Sequence, residues 1–252
     1  MNHSTQPSRI VLVTGASKGL GRTMAEGAAK AGHRVVVNYF SSAAGAEEVV
    51  AAIRQAGGQA LACRADVRDP AAIAALQAEV KRAFGGAIEV VVNNATGPQP
   101  MYPLEKYTWT DFQDQLDFFV KAPVLLAQAL VPAMKAAHWG RIINIGSEVV
   151  DLGNANFSAY VAAKAALFGL TRAWASEFGP WNITVNTVAP GWIPVERHAD
   201  IPESGRRDYA RSLPLQRIGV PSDLVGVVNF FASDASGFIT GQSIAVNGGN
   251  TF

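Results

Sequence analysis

Short, continuous apolar runs alternate with longer runs of helical period along most of the chain. The short runs are Ile10–Val13, Val35–Tyr39, Gln59–Arg64, Ile88–Val92, Gly140–Ile145, Ile183–Val188 and Gln242–Val246. They are rich in β-branched residues and show no apolar/polar alternation. That pattern predicts strands buried on both faces, as in a parallel sheet. Between them lie helical patterns at Arg22–Gly32, Ala43–Ala56, Asp69–Phe84, Trp109–Ala137, Ser158–Phe178 and Pro221–Ala232. Gly57-Gly58 closes the second of these, and Asp69-Pro70 opens the third as N-cap and first helical residue. Repeated strand–helix units predict an α/β fold: a doubly wound parallel sheet of about seven strands with helices on both faces. Trp109–Ala137 is apolar nearly all round, which predicts burial and a bend at Pro123 or Pro132. Gly97–Thr108, with three prolines, and Trp192–Leu215, polar and weakly periodic, predict loops.

Composition narrows the class. The 252 residues are 49% apolar and 16% charged, enough for a large core. The net charge of +1 and the lack of a basic run give no case for nucleic acid. Cys63 is the single cysteine, so no internal disulfide forms, and its apolar neighbours predict a small buried residue. No apolar run is expected to reach the length of a membrane span, and a cytoplasmic location is the simplest expectation. Residues 1–8 read as a flexible tail and 9–252 as a single dinucleotide-binding and catalytic domain. Residues 191–215, past the end of a strand, read as a substrate lid.

The first run ends in Gly15-Ala-Ser17-Lys18-Gly19-Leu20-Gly21, and a helix follows at once. Strand, glycine turn and helix together present backbone N–H groups and a positive helix end to a pyrophosphate. The second run ends in Asn38-Tyr39 with Ser41 close behind, where dinucleotide folds often carry an acidic residue on the ribose. Without that carboxylate, and with Lys18 in the glycine turn, the expectation is NADP(H) in preference to NAD(H). Asp66-Val67 follow the third run, Asn93-Asn94 end the fourth, and Pro190-Gly191 and Ile193 follow the sixth.

Ser147 follows the fifth run, and Tyr160 and Lys164 stand four apart, one turn from each other on one helix face. A free tyrosine hydroxyl titrates near 10, and a lysine ammonium beside it favours the phenolate. Such a tyrosine can give a proton to a carbonyl oxygen as hydride reaches the carbon, while a serine hydroxyl holds the same oxygen. Each motif alone is weak.

Together, Thr14-GASKGLG, Asp66, Asn93-NAT, Ser147, Tyr160-x-x-x-Lys164 and Pro190-Gly191 resemble the short-chain dehydrogenase/reductase family, most closely its 3-oxoacyl-acyl-carrier-protein-reductase-like branch. The resemblance runs from about residue 9 to 250 and implies a Rossmann-type fold. It implies that Tyr160 donates or accepts the proton, that Lys164 binds the nicotinamide ribose, and that Ser147 holds the substrate oxygen. Gly15, Ser17, Lys18, Gly19 and Leu20 would wrap the pyrophosphate and adenosine. Asp66 and Val67 would contact adenine, Asn94 the adenosine-side ribose region, and Ile193 the carboxamide. A homotetramer paired through Trp109–Ala137 and Ser158–Phe178 is also implied. Two residues depart from the family pattern. Phe119 replaces an asparagine that helps hold a water linking the lysine to solvent, and Val195 replaces a threonine that bonds the carboxamide.

The expected activity is an NADP(H)-dependent carbonyl reductase or alcohol dehydrogenase. The alternative is an NADP(H)-binding sensor or scaffold, for which Phe119 and Val195 speak. An acyl carrier protein is acidic and favours a basic mouth. The loops beside the fifth and sixth runs carry His138-Trp139 and Pro180-Trp181 instead of arginines, so that partner is weakly supported.

Overall fold

A computed structural model describes residues 8–198 and 202–252; the expected tail, apart from Ser8, lies outside them. Among the described residues, seven strands form one parallel sheet in the order β3-β2-β1-β4-β5-β6-β7. They are β1 Ile10–Val13, β2 Arg34–Tyr39, β3 Gln59–Arg64, β4 Val90–Asn93, β5 Gly140–Ile145, β6 Ile183–Pro190 and β7 Ser243–Val246. The helices are α1 Gly19–Lys30, α2 Ala43–Gln55, α3 Pro70–Phe84, α4 Trp109–Leu116, α5 Ala122–Ala137, α6 Val149–Leu152, α7 Ser158–Phe178, α8 Glu203–Ser212 and α9 Val225–Phe231.

Alternate strand residues feed two cores, which is why the runs show no polar face. Ile10 and Leu12 pack with Leu76, Leu126, Leu130 and Trp174 of α3, α5 and α7. Val11 and Val13 point the other way, to Met24, Val49, Val228 and Phe231 of α1, α2 and α9. Strand order reverses between β1 and β4. At such a switch point the two carboxyl ends part and leave a crevice for ligand.

Capping chemistry fixes several boundaries. Asp69 accepts the Ala71 N–H at 3.0 Å at the start of α3, a cap that contributes about 1 kcal/mol. Gly85, left-handed at φ 72°, ends the same helix. Thr108 and Asp111 form a reciprocal capping box that starts α4 at Trp109. Helix α1 begins at Gly19, three residues before its apolar period opens at Arg22.

Three expectations need correction. The long helix runs on through Pro132, and the irregularity tied to Pro123 falls one turn ahead of it. A π turn, Asp117–Lys121, joins α4 to α5, and the Ala122 N–H bonds Asp117 O, five residues back. Pro123 has no N–H to return to Phe119 O, so the ordinary register fails one turn ahead of it. The wider turn leaves Phe119 buried. Second, Trp109–Ala137 is long and apolar enough, by length and composition, to cross a membrane, with a mean hydropathy of 1.5. Here its inner residues, among them Leu126, Leu130 and Met134, lie in the core. Third, the region after Trp192 contains helix α8 rather than loop alone. None of its residues is buried, so no apolar period marks it in the sequence.

Candidate active site

The glycine turn sits at the switch point between β1 and β4. Gly15 and Gly19 adopt φ of 62° and 56°, the left-handed region that favours glycine. A Cβ on Gly21 would fall onto Gly15 O, 2.6 Å from Asn94 Nδ2 and 2.9 Å from Ala16 Cα. No side chain fits there, and the backbone of the turn is left open for close approach. Lys18, exposed at the N-cap of α1, makes no side-chain cap. These features fit a dinucleotide pyrophosphate against the first turn of α1.

Two residues expected to touch cofactor also brace this turn. Asn38 is buried; its Oδ1 accepts the Gly15 N–H at 3.3 Å, and its Nδ2 donates to Ala65 O at 3.1 Å. Asn94 Nδ2 donates to Thr14 O at 2.8 Å, and its backbone N–H bonds Thr14 Oγ1 at 2.9 Å. Asp66 is gripped by Arg68 through two side-chain bonds of 2.9 and 2.8 Å, and this hydrogen-bonded guanidinium holds its carboxyl below the usual carboxylate range. Val67 is buried in the core. Tyr39 packs partly against the core and Ser41 is exposed at the end of β2. Arg64, exposed and paired in register with Tyr39, adds a cation at that edge. The sequence signal for it was its place as the last residue of a strand beside β2, which composition alone does not reveal.

The segment after β6 folds back on the turn. Pro190 and Ile193 are buried, and the Gly191 N–H bonds Val246 O at 3.1 Å. A Cβ on Gly19 would meet Val195 at 3.5 Å, and the Gly19 N–H itself bonds Glu196 Oε1 at 3.2 Å. Ser17 and Leu20 are half-buried in the turn below. The Glu196 carboxylate therefore rests on the positive end of α1, where a phosphate is also favoured.

Ser147, Tyr160 and Lys164 lie on adjoining elements at the carboxyl end of β5. Ser147 is buried, and its Oγ accepts the Val149 N–H at 3.4 Å. Tyr160 and Lys164 share a face of α7, whose first turn begins at Ser158. Lys164, 4% exposed, donates from Nζ to Ile145 O at 2.6 Å, the last residue of β5. That bond ties α7 to the strand that carries Ser147. Phe119 completes the arrangement. Lys164 Nζ lies 3.8 Å from the centre of the Phe119 ring, and this ring meets Tyr160 edge-on at 5.4 Å. Phe157 stacks on Tyr160 at 4.5 Å. The ammonium thus rests on an aromatic face, a favourable contact in a desolvated place.

Beneath this floor runs a chain of buried hydrogen bonds. Asn93 Nδ2 donates to Asn144 Oδ1 at 2.8 Å, and Asn144 Nδ2 to Thr171 Oγ1 at 2.9 Å. Thr171 and Thr187 hydroxyls then meet at 2.8 Å, joining β4, β5, α7 and β6. His138-Trp139 and Pro180-Trp181 are elsewhere. They precede β5 and β6, at the opposite end of the sheet, so they say nothing about the mouth of this site. Trp139 is held between Arg9 at 3.8 Å and Arg141 at 4.3 Å. Cys63 is buried as expected, and burial pushes its thiol up to about 12.

Residues 15–251 match a family model described as enoyl-(acyl carrier protein) reductase. The chain is 37% identical over 243 residues to a 3-oxoacyl-acyl-carrier-protein reductase of Pseudomonas aeruginosa, covering 96% of each. It is also 37% identical over 244 residues to the enzyme of that name from Staphylococcus aureus, covering 96% of this chain and 98% of the relative. The chain belongs to the short-chain dehydrogenase/reductase family. A provisionally named gluconate dehydrogenase of Agrobacterium tumefaciens superposes with a TM-score of 0.91 at 32% identity, covering 98% of this chain and 97% of that one. A provisionally named NAD(P)-dependent gluconate 5-dehydrogenase of Beutenbergia cavernae, with NADP bound at low occupancy, gives 0.88 at 33% identity over 98% of both chains. As a short-chain dehydrogenase/reductase, the protein is an oxidoreductase that moves hydride between a nicotinamide cofactor and a carbonyl or alcohol group.

Proposed function

We propose that this enzyme reduces a small ketone, with 3-oxoacyl thioesters the first class to test, and that it prefers NADPH. The observation that carries the reading is the tie of Lys164 Nζ to Ile145 O, which brings Tyr160 and Lys164 beside the strand that presents Ser147. Bound nicotinamide supplies the hydride. The glycine turn, Ser17, Lys18 and Leu20 hold its pyrophosphate, and Ile193 its carboxamide side. Ser147 Oγ and the Tyr160 hydroxyl hold the carbonyl oxygen and stabilise the charge that grows there. Tyr160 delivers the proton, and the Lys164 ammonium favours the phenolate it leaves. Phe119 covers the ammonium where the family places a water-holding asparagine, so proton return runs through the mouth rather than beneath α7.

Lys18, exposed in the glycine turn, and Arg64, exposed beside the last residue of β2, support NADPH, since no carboxylate ends β2 to repel a 2′-phosphate. Exposed Tyr102, whose N–H bonds Asn156 O next to Phe157, and exposed Leu152, in the short helix just after Ser147, support a substrate with an apolar portion. Segment 191–215 acts as the lid in this reading. Pairing through the long helix and α7 into a homotetramer would cover the outer apolar face of Trp109–Ala137.

Reduced-nicotinamide absorbance tests the proposal, with NADPH and NADH against a ketone panel that includes an acetoacetyl thioester. Turnover that falls roughly 10³-fold in Tyr160→Phe supports it. Tight NADPH binding by both proteins with no turnover would favour the sensor reading, for which the Phe119 cover of Lys164 is the supporting observation.

A further inference from the structure

Hydride transfer makes no use of the Glu148 carboxylate, although it adjoins Ser147 and is only 4% exposed. Its Oε1 accepts the Tyr209 hydroxyl at 2.9 Å, and its Oε2 accepts Asn250 Nδ2 at 3.0 Å. Among the described residues no salt bridge reaches it. Its backbone N–H bonds Pro190 O at 3.1 Å. Tyr209 belongs to α8 and faces two ways: its oxygen also accepts the Trp192 N–H at 2.9 Å, and its ring meets Trp192 edge-on at 5.2 Å. Gly191 makes room for this, since a Cβ there would lie 3.0 Å from the Tyr209 oxygen. Burial, and after it the Glu148 carboxylate, push the Tyr209 hydroxyl up to about 12, so it stays protonated and donating.

Helix α8 has ten residues and buries none of them. A helix of that length is marginal by itself in water. Beyond the buried Leu213 at its end and the ring contact of Tyr209 with Trp192, its position depends on a few polar bonds, of which the Tyr209–Glu148 bond is the deepest. Once released, both groups would regain water, so an open arrangement is accessible too.

We propose that Glu148 is a positioning residue, a latch that holds α8 against Trp192 in a closed position fixed at the residue next to Ser147. This rests on reading the 191–215 segment as the substrate lid. Closure would then be registered at the catalytic serine through one peptide unit, with Asn250 bringing the carboxyl-terminal segment into the same bond set.

Hydrogen exchange of the full-length protein tests this without substrate. Tyr209→Phe and Glu148→Ala should each raise exchange across Glu203–Ser212 at least ten-fold and leave β5 and β6 unchanged. Glu148→Gln, which keeps an acceptor for the Tyr209 hydroxyl, should restore most of the protection. Unchanged exchange in Tyr209→Phe would overturn the latch, as would a wild-type segment with no protection to lose. Equal loosening of the sheet would reduce Glu148 to general support and overturn it as well. A wild-type enzyme that turned over no carbonyl would sink the reductase reading and leave this result standing.

Discussion

The two halves of the crevice achieve fixed geometry by different means. On the β1 side, the cradle is mostly backbone, held by the amides of Asn38 and Asn94 and kept clear by glycines. On the β5 side, the floor is built from side chains: Ser147 on a strand end, Tyr160 and Lys164 on α7, and rings around them. A cradle of backbone has no room for added atoms. A floor of side chains accepts changes of shape but not of chemistry.

Four substitutions would break or sharpen that contrast. Lys164→Met keeps length and removes charge, so kcat should fall about 10²-fold or more in a steady-state assay while the fold survives. Unchanged kcat would mean that the floor works by shape after all. Gly21→Ala adds one methyl to the cradle and should cost about 1–3 kcal/mol of stability. A melting curve should show a drop of several degrees, roughly 2–4 °C per kcal/mol for a chain of this size, and NADPH titration should show weakened binding. Phe119→Leu keeps apolar volume but loses the ring face, a contact of about 0.5–2 kcal/mol. Its kcat should fall a few-fold in the same assay. Glu196→Gln should have the smallest effect. With the competing charge removed from the positive end of α1, NADPH should bind about two- to five-fold more tightly at low salt, and the gain should fade as salt screens it. Fluorescence titration at two ionic strengths would reveal a reversed sign.

Much of this architecture was readable from residues alone, and the failures have physical causes. The strands were legible because burial on both faces leaves unbroken β-branched runs. The glycine turn and the Tyr160–Lys164 pair were legible because each is local in sequence. Helix α8 was missed because a helix that buries nothing has no apolar period. The π turn at Asp117–Lys121 was missed because its cause, the absent N–H of Pro123, lies outside it. The bracing role of Asn38 was not legible because its partners, Gly15 and Ala65, are 23 and 27 residues away. The partners of Glu148 are farther still, at 61 and 102 residues.

The contact between Gly21 and Asn94 has a consequence for inheritance. A methyl on Gly21 would strike the amide of a residue more than seventy positions along the chain, and Thr14 Oγ1 receives the N–H groups of both Asn94 and Ala95. Residues 14–21 and residues 94–95 must therefore suit one another. A chimera joined between α3 and β4, taking its first third from one relative and the remainder from another, would inherit half of this fit from each parent. It should fold well only where both parents carry the same Thr14, Gly15, Gly21 and Asn94, whereas a crossover after Ser212 leaves the turn and the Val195 and Glu196 that meet it in one parent.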